Sequence, residues 1–189
     1  VGKTASAVSV ASYLSKKNKV LLLDLDTQGN ATLNSGIDIY NLKYTMKELL
    51  LSEEIPVRDL IINSEKGYDV IGSNLKTADV EMFLSTMFNR EYILKERMAG
   101  CDYDYIIIDT QPTRDSLLLT NAINAADYVL IPSLCEANSQ ESAFRTYALC
   151  NELRNTPGSH LKGIGVILTM VVKKAASTKI IRDQCKQVL

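Results

Sequence analysis

The chain has 189 residues, 46% of them apolar, and a formal net charge of −1. That length and apolar share are enough for one domain with a sizeable buried core, and they exclude a disordered or fibrous chain. The near-balanced charge carries no global mark of a nucleic-acid binder, and the apolar runs are only a few residues long, far short of a membrane span.

The chain opens Val1-Gly2-Lys3-Thr4, and a helix is predicted over 3–17, ended by Asn18. A buried strand follows at Val20–Leu23, then the acidic turn Asp24-Leu25-Asp26-Thr27-Gln28-Gly29-Asn30-Ala31-Thr32. A helix over 44–51, a strand at Tyr68–Ile71, one long helix over 76–99 and a strand at Tyr105–Ile108 come next. The second half reads as a helix over 115–125, a strand at Tyr128–Ile131, a helix over 139–154, a strand at Gly165–Leu168 and a helix over 176–188. Pro112 and Pro132 are expected to stop the strands before them, because proline cannot donate to a ladder.

Strands that are apolar without alternation are buried on both faces, the pattern of a parallel sheet covered by helices. Alternating β and α units of this length predict a three-layer α/β fold with a mainly parallel sheet. No Ser- or Gly-rich linker divides the sequence, so residues 1–189 are read as one domain. The opening residues look like the second half of a phosphate loop. The domain is therefore expected to lack its N-terminal strand and some C-terminal elements.

Cys101, Cys135, Cys150 and Cys185 form no C-x-x-C pair, which argues against zinc or iron–sulfur ligation and for plain reduced thiols. His160 follows Pro157-Gly158-Ser159 in a predicted loop, with no partner histidine or nearby nucleophile for catalysis.

The chemistry lies at the strand ends. In a phosphate loop, glycines let backbone amides approach phosphate oxygens, and the helix N-terminus completes the anion site. In such a loop Lys3 reaches the β- and γ-phosphates and the Thr4 hydroxyl ligates magnesium. Taken alone, Gly-Lys-Thr also fits an ordinary helix start capped by Thr4, and a single strand-end Asp also fits a turn. Asp24, Asp26 and Asp109 end two buried strands whose C-terminal ends share one sheet edge, where ligands bind in parallel sheets. Together with Lys3 and Thr4 they point to a nucleoside-triphosphate and magnesium centre.

With these motifs the sequence resembles the ParA/Soj family of partition ATPases, within the MinD-like, deviant Walker A P-loop ATPases. The resemblance rests on Val1-Gly2-Lys3-Thr4, on Asp24-Leu25-Asp26-Thr27-Gln28-Gly29-Asn30-Ala31-Thr32, on Ile71-Gly72-Ser73-Asn74-Leu75, on Arg90–Leu94, and on Asp104–Pro112 as the Walker B strand. Thr27, Ala5 and Gln111 depart from the family pattern without removing a charged or metal-binding group.

The resemblance implies ATP and Mg2+ as cofactors, bound through Val1, Gly2, Lys3, Thr4, Ala5, Asp24, Gln28, Asn30 and Asp109. It gives Asp26 and Lys3 the catalytic roles, with Asp26 orienting the attacking water, and Thr4, Asp24 and Asp109 the metal. It also implies an ATP-dependent homodimer, with Gln28 and Asn30 near its interface, a ParB-like partner, non-specific DNA binding, and a cytoplasmic, nucleoid-associated protein with no membrane contact.

Residues 162–189 hold six basic side chains against Asp183 alone, and Lys173, Lys174 and Arg182 are the candidate DNA contacts. A solvated helix face explains the same charges equally well. The alternative function is a MinD-like ATPase that positions a division or other complex at a membrane. That reading needs a C-terminal amphipathic helix, and Gln28-Gly29-Asn30 argues against it. A bacterial tyrosine kinase needs a C-terminal tyrosine cluster, whereas the nine tyrosines are scattered. A nucleotide-gated binding module without hydrolysis is opposed by Asp26, and a nitrogenase-type reductase by the lack of a suitable cysteine pair.

Overall fold

The computed structural model describes residues 2–111, 113 and 116–171. They fall into two compact units, one spanning Thr4–Ala125 and the other running from Ala126 onward together with the first residues of the chain.

The first unit is built on a four-stranded sheet. Its strands are β1 (Val20–Asp24), β2 (Ile62–Asn63), β3 (Asp69–Ile71) and β4 (Tyr105–Asp109), in the order β2-β3-β1-β4. β1 pairs in parallel with β3 and β4, and β2 joins β3 antiparallel. All five residues of β1 are buried, which explains why Val20-Leu21-Leu22-Leu23 shows no polar alternation.

Alternate β1 side chains feed two cores. On one face Val20 and Leu22 join Ala11, Ala31, Tyr68 and Val70, with Ala7, Val8 and Leu14 packed against them. Ala7, Val8, Ala11 and Leu14 belong to α1 (Lys3–Leu14), while Ala31 comes from α2 (Asn30–Asn34). On the other face Leu21 and Leu23 meet apolar residues of α3 (Met46–Leu51), α4 (Val57–Leu60), α5 (Val80–Leu84), α6 (Ile93–Met98) and α7 (Leu117–Ala125). Helices on both faces of a mainly parallel sheet are the predicted three layers.

Local chemistry sets the element ends. The Asn18 side chain donates to Leu14 O at 2.9 Å and closes α1. Thr45 and Glu48 form a capping box that starts α3. The single helix predicted over 76–99 is corrected to a 3-10 turn at Leu75–Thr77 followed by α5 and α6. The Ser85 hydroxyl donates to Met82 O at 2.6 Å and that of Thr86 to Phe83 O at 2.8 Å, so side chains take the carbonyls that a continuing helix would use. Asn89 then adopts φ 52°, which turns the chain out of the right-handed helix.

In the second unit β5 (Tyr128–Leu134) pairs in parallel with β6 (Gly163–Thr169), and α8 (Ala137–Arg154) packs on both. Pro132 does not stop the strand: β5 continues to Leu134, with Pro132 opposite Ile167. Among the described residues β5 pairs on one side only, and a strand with one open side tolerates proline there. Buried Cys150 lies on α8, its thiol pushed up to about 11 by burial, which suits an inert packing residue. The helix predicted over 176–188 and the turn at Pro112 lie outside the described residues.

Candidate functional site

β1 and β4 are parallel and in register, with Asp24 opposite Asp109. The Leu25 N–H donates to Asp109 O at 2.8 Å, so pairing persists to the last residue of each strand. Both carboxylates therefore leave the sheet at the same edge, and both are buried. α1 precedes β1 by a short turn and packs along it, so the two run in opposite directions. Its 12 residues span about 18 Å at 1.5 Å per residue, about the length of a five-residue strand. Thr4 stands in the first turn of α1. Lys3 opens the same helix, and Gly2 before it adopts φ +84°, a conformation that favours glycine.

The loop after β1 is held from within. Asp24 Oδ2 accepts the Thr32 N–H at 2.8 Å and the Thr32 hydroxyl at 2.7 Å, and Asp24 Oδ1 accepts the Asp26 N–H at 3.1 Å. Asp26 is half-buried and accepts the Gln28 N–H at Oδ1, 3.0 Å, while Gly29 N–H donates to Asp26 O at 2.9 Å. Gln28 and Asn30 are exposed on the outer side of this turn. Gly29 has φ +65°, and a Cβ there would meet Ser73 O at 2.6 Å, so the turn needs glycine for both its conformation and its closeness to the end of β3.

Burial is the main reason that the Asp24 carboxyl is pushed up to about 6; the bonds from Thr32 and Asp26 oppose this, and the nearby Asp109 charge adds to it. Two adjacent buried carboxylates favour a cation between or beside them. Among the described residues no cluster of three or more His, Cys, Asp or Glu forms a self-sufficient metal cage. Carboxylate oxygens are the hard donors that magnesium takes, usually one or two of them beside water and phosphate oxygens. Asp24 spends both oxygens on three protein donors, which grips the loop that follows β1.

Of the other expected site residues, Lys3 and Thr4 are half-buried and Ala5 is exposed. Val1, Lys173, Lys174 and Arg182 lie outside the described residues. Thr32 and Ser73 are additions to the expected site residues. Thr32 lies inside the acidic-turn motif, eight residues after Asp24, and only the fold shows its hydroxyl reaching back to that carboxylate.

A mainly parallel sheet with carboxylates at its C-terminal edge, beside a helix that opens Lys3-Thr4, defines an α/β P-loop nucleotide-binding fold. The sequence matches the AAA domain family over residues 1–162. It is 36% identical over 179 residues to the chromosome partitioning protein ParA of Myxococcus xanthus, covering 93% of this chain and 62% of that protein. It is 32% identical over 174 residues to the sporulation initiation inhibitor protein Soj of Bacillus subtilis, covering 90% of this chain and 68% of Soj. A crystal structure of a plasmid partition protein described as putative, from Borrelia burgdorferi and bound to AMPPNP, superposes with a TM-score of 0.82 at 31% identity, covering 98% of this chain and 77% of that one. The chain belongs to this family of ParA/Soj-type P-loop ATPases. It spans just under two thirds of the length of the Myxococcus relative.

Proposed function

We propose that this protein hydrolyses ATP to drive DNA partition. ATP-bound copies would dimerise and bind DNA without sequence preference, and a ParB-like partner would stimulate hydrolysis and release them. The observation that carries this reading is the in-register pair Asp24 and Asp109, both buried at the C-terminal edge of a mainly parallel sheet. Kinship with the ParA and Soj proteins supplies the biological direction.

In the proposed site Gly2, Lys3 and Thr4 cradle the phosphates, and magnesium neutralises their charge. Thr4, Asp24 and Asp109 would hold the metal, and the metal would supply positive charge against the phosphates. Asp26 orients the attacking water, and Gln28 and Asn30 face the partner copy. Phosphoryl transfer to water depends mostly on positioning and charge neutralisation, which this residue set provides. Exposed Gln28 and Asn30 suit contacts with a second copy. Among the described residues no helix is long and apolar enough to cross a membrane. Nucleoid association follows from DNA binding in this reading.

The test is DNA binding by the intact protein with ATP, ADP or no nucleotide, alongside Lys3→Ala and Asp26→Ala. Binding only with ATP, lost in Lys3→Ala and prolonged in Asp26→Ala, supports the partition cycle. Equal or absent DNA binding in all three states would overturn it.

A further inference from the structure

A buried chain of hydrogen bonds links the end of β3 to the loop that carries Asp26. The Ser73 N–H donates to Thr32 Oγ1 at 3.0 Å, and that hydroxyl donates in turn to Asp24 Oδ2 at 2.7 Å. The Thr32 N–H adds a second bond to the same oxygen at 2.8 Å, and Asp24 Oδ1 takes the Asp26 N–H at 3.1 Å. Thr32, Asp24 and Ser73 are all wholly buried, so water cannot replace any link.

We infer that Thr32 is a positioning residue for hydrolysis: its hydroxyl fixes the Asp24 carboxylate, which fixes the backbone that aims Asp26. The inference rests on the reading of Asp26 as the water-orienting group. Thr32 uses its hydroxyl both as donor and as acceptor. Its amide and hydroxyl both donate to Asp24, and its oxygen accepts from Ser73. The methyl has a separate packing task, because a Cβ on Gly72 would come within 2.9 Å of Thr32 Cγ2. The two parts of one side chain can therefore be tested apart.

The chain of bonds also ties two segments into one. Asn74, next to Ser73, accepts the Lys76 N–H at 3.0 Å and donates to Ile39 O at 2.8 Å. The Met46 N–H donates to Gly72 O at 2.8 Å. Residues 72–76 are thus anchored to three other parts of the unit, and Thr32 hands that rigidity to the turn at Asp26.

The experiment compares Thr32→Val and Thr32→Ser in the intact protein. Valine keeps the methyl and removes the hydroxyl, whereas serine does the reverse. Thr32→Val is expected to lower kcat at least tenfold while ATP affinity stays within twofold, and Thr32→Ser to recover most of kcat. Independently of turnover, amide hydrogen exchange in the nucleotide-free protein should speed up at Asp26 in Thr32→Val and stay near wild type in Thr32→Ser, with both variants folded by thermal melting. Unchanged exchange at Asp26 in Thr32→Val would overturn the inference whether or not ATP is hydrolysed. So would a Thr32→Ser variant as impaired as Thr32→Val. Faster exchange in Thr32→Val, together with a wild-type protein that does not hydrolyse ATP, would instead sink the ATPase reading while leaving the bond chain in place.

Discussion

Asp24 and Asp109 stand opposite each other on neighbouring parallel strands, both buried at the C-terminal edge of the sheet. Burial chiefly, and the Asp109 charge in a smaller degree, push Asp24 up to about 6, and a cation bound beside them would pull it down again.

This gives a signed pH prediction. An aspartate near 3.8 when unfolded and about 6 when folded binds more protons in the folded state between those values. Stability from this group is therefore greatest at low pH and declines as pH rises from about 4 to 6. The loss reaches up to about 3 kcal/mol, because each pH unit that separates the folded and unfolded values is worth about 1.4 kcal/mol. Urea unfolding of wild type and Asp24→Asn across pH 4–7, without magnesium or nucleotide, isolates the effect. The wild type should lose ground to the variant as pH rises, and parallel curves would sink the claim. Adding magnesium and ATP should shrink the wild-type loss.

Gly29 carries a second prediction. A side chain there would need a left-handed backbone and would also press its Cβ to 2.6 Å from Ser73 O, a backbone atom that cannot swing away. Gly36 shares the positive φ, at +82°, but a Cβ there meets nothing. Gly36→Ala should cost about 1 kcal/mol, the backbone penalty alone. Gly29→Ala should cost at least about 1–3 kcal/mol more, because overpacking adds to that penalty. Equal denaturation midpoints for the two variants would show that the turn relaxes away from β3.

The run Val20–Leu23 is legible in the sequence because all of β1 is buried between two helical layers, and the other apolar runs are at least partly covered. Val20–Leu23, Tyr105–Ile108 and Gly165–Leu168 lie inside observed strands. β2 is invisible there because two residues, one of them exposed, carry no periodic signal. The break in 76–99 is hidden because apolar spacing there fits a helix, while the hydroxyls of Ser85 and Thr86 compete for its carbonyls. Pro132 misleads because proline's lost donor matters only on a side that pairs. At the site, Asp24 and Asp109 can be read from strand ends, but the hold of Thr32 on Asp24 cannot, since spacing says nothing about a hydroxyl folding back.

Asn121 offers a stability test away from the nucleotide site. Wholly buried on α7, it accepts the Leu94 N–H at 3.1 Å and donates to Arg90 O at 2.7 Å and Leu117 O at 2.9 Å. It thereby satisfies the start of α6, whose first amides have no partner within their own helix. Asn121→Ala would orphan the Leu94 N–H and the Arg90 carbonyl and leave a small void, a loss of about 2–4 kcal/mol. Chemical denaturation should show that loss, with ATP affinity of the folded fraction unchanged. A change below about 0.5 kcal/mol, the range of ordinary surface substitutions, would mean that water replaces the amide.

DNA contact is the part of the proposed cycle that rests on charge alone, so its prediction concerns salt. Lys173, Lys174 and Arg182 belong to a stretch with a strong basic excess. If all three meet phosphates, changing them to Ala removes up to three counterion-release events per bound copy. The slope of log affinity against log salt should then flatten by about 2.7, at roughly 0.9 per phosphate lost. Affinity should fall equally for unrelated DNA sequences, because phosphate contacts carry no base information. ATP binding and basal hydrolysis should stay at wild-type levels. A triple variant with weaker binding but an unchanged salt slope would mean that the tail acts through folding or dimerisation. Unchanged affinity would place the DNA surface elsewhere on the protein.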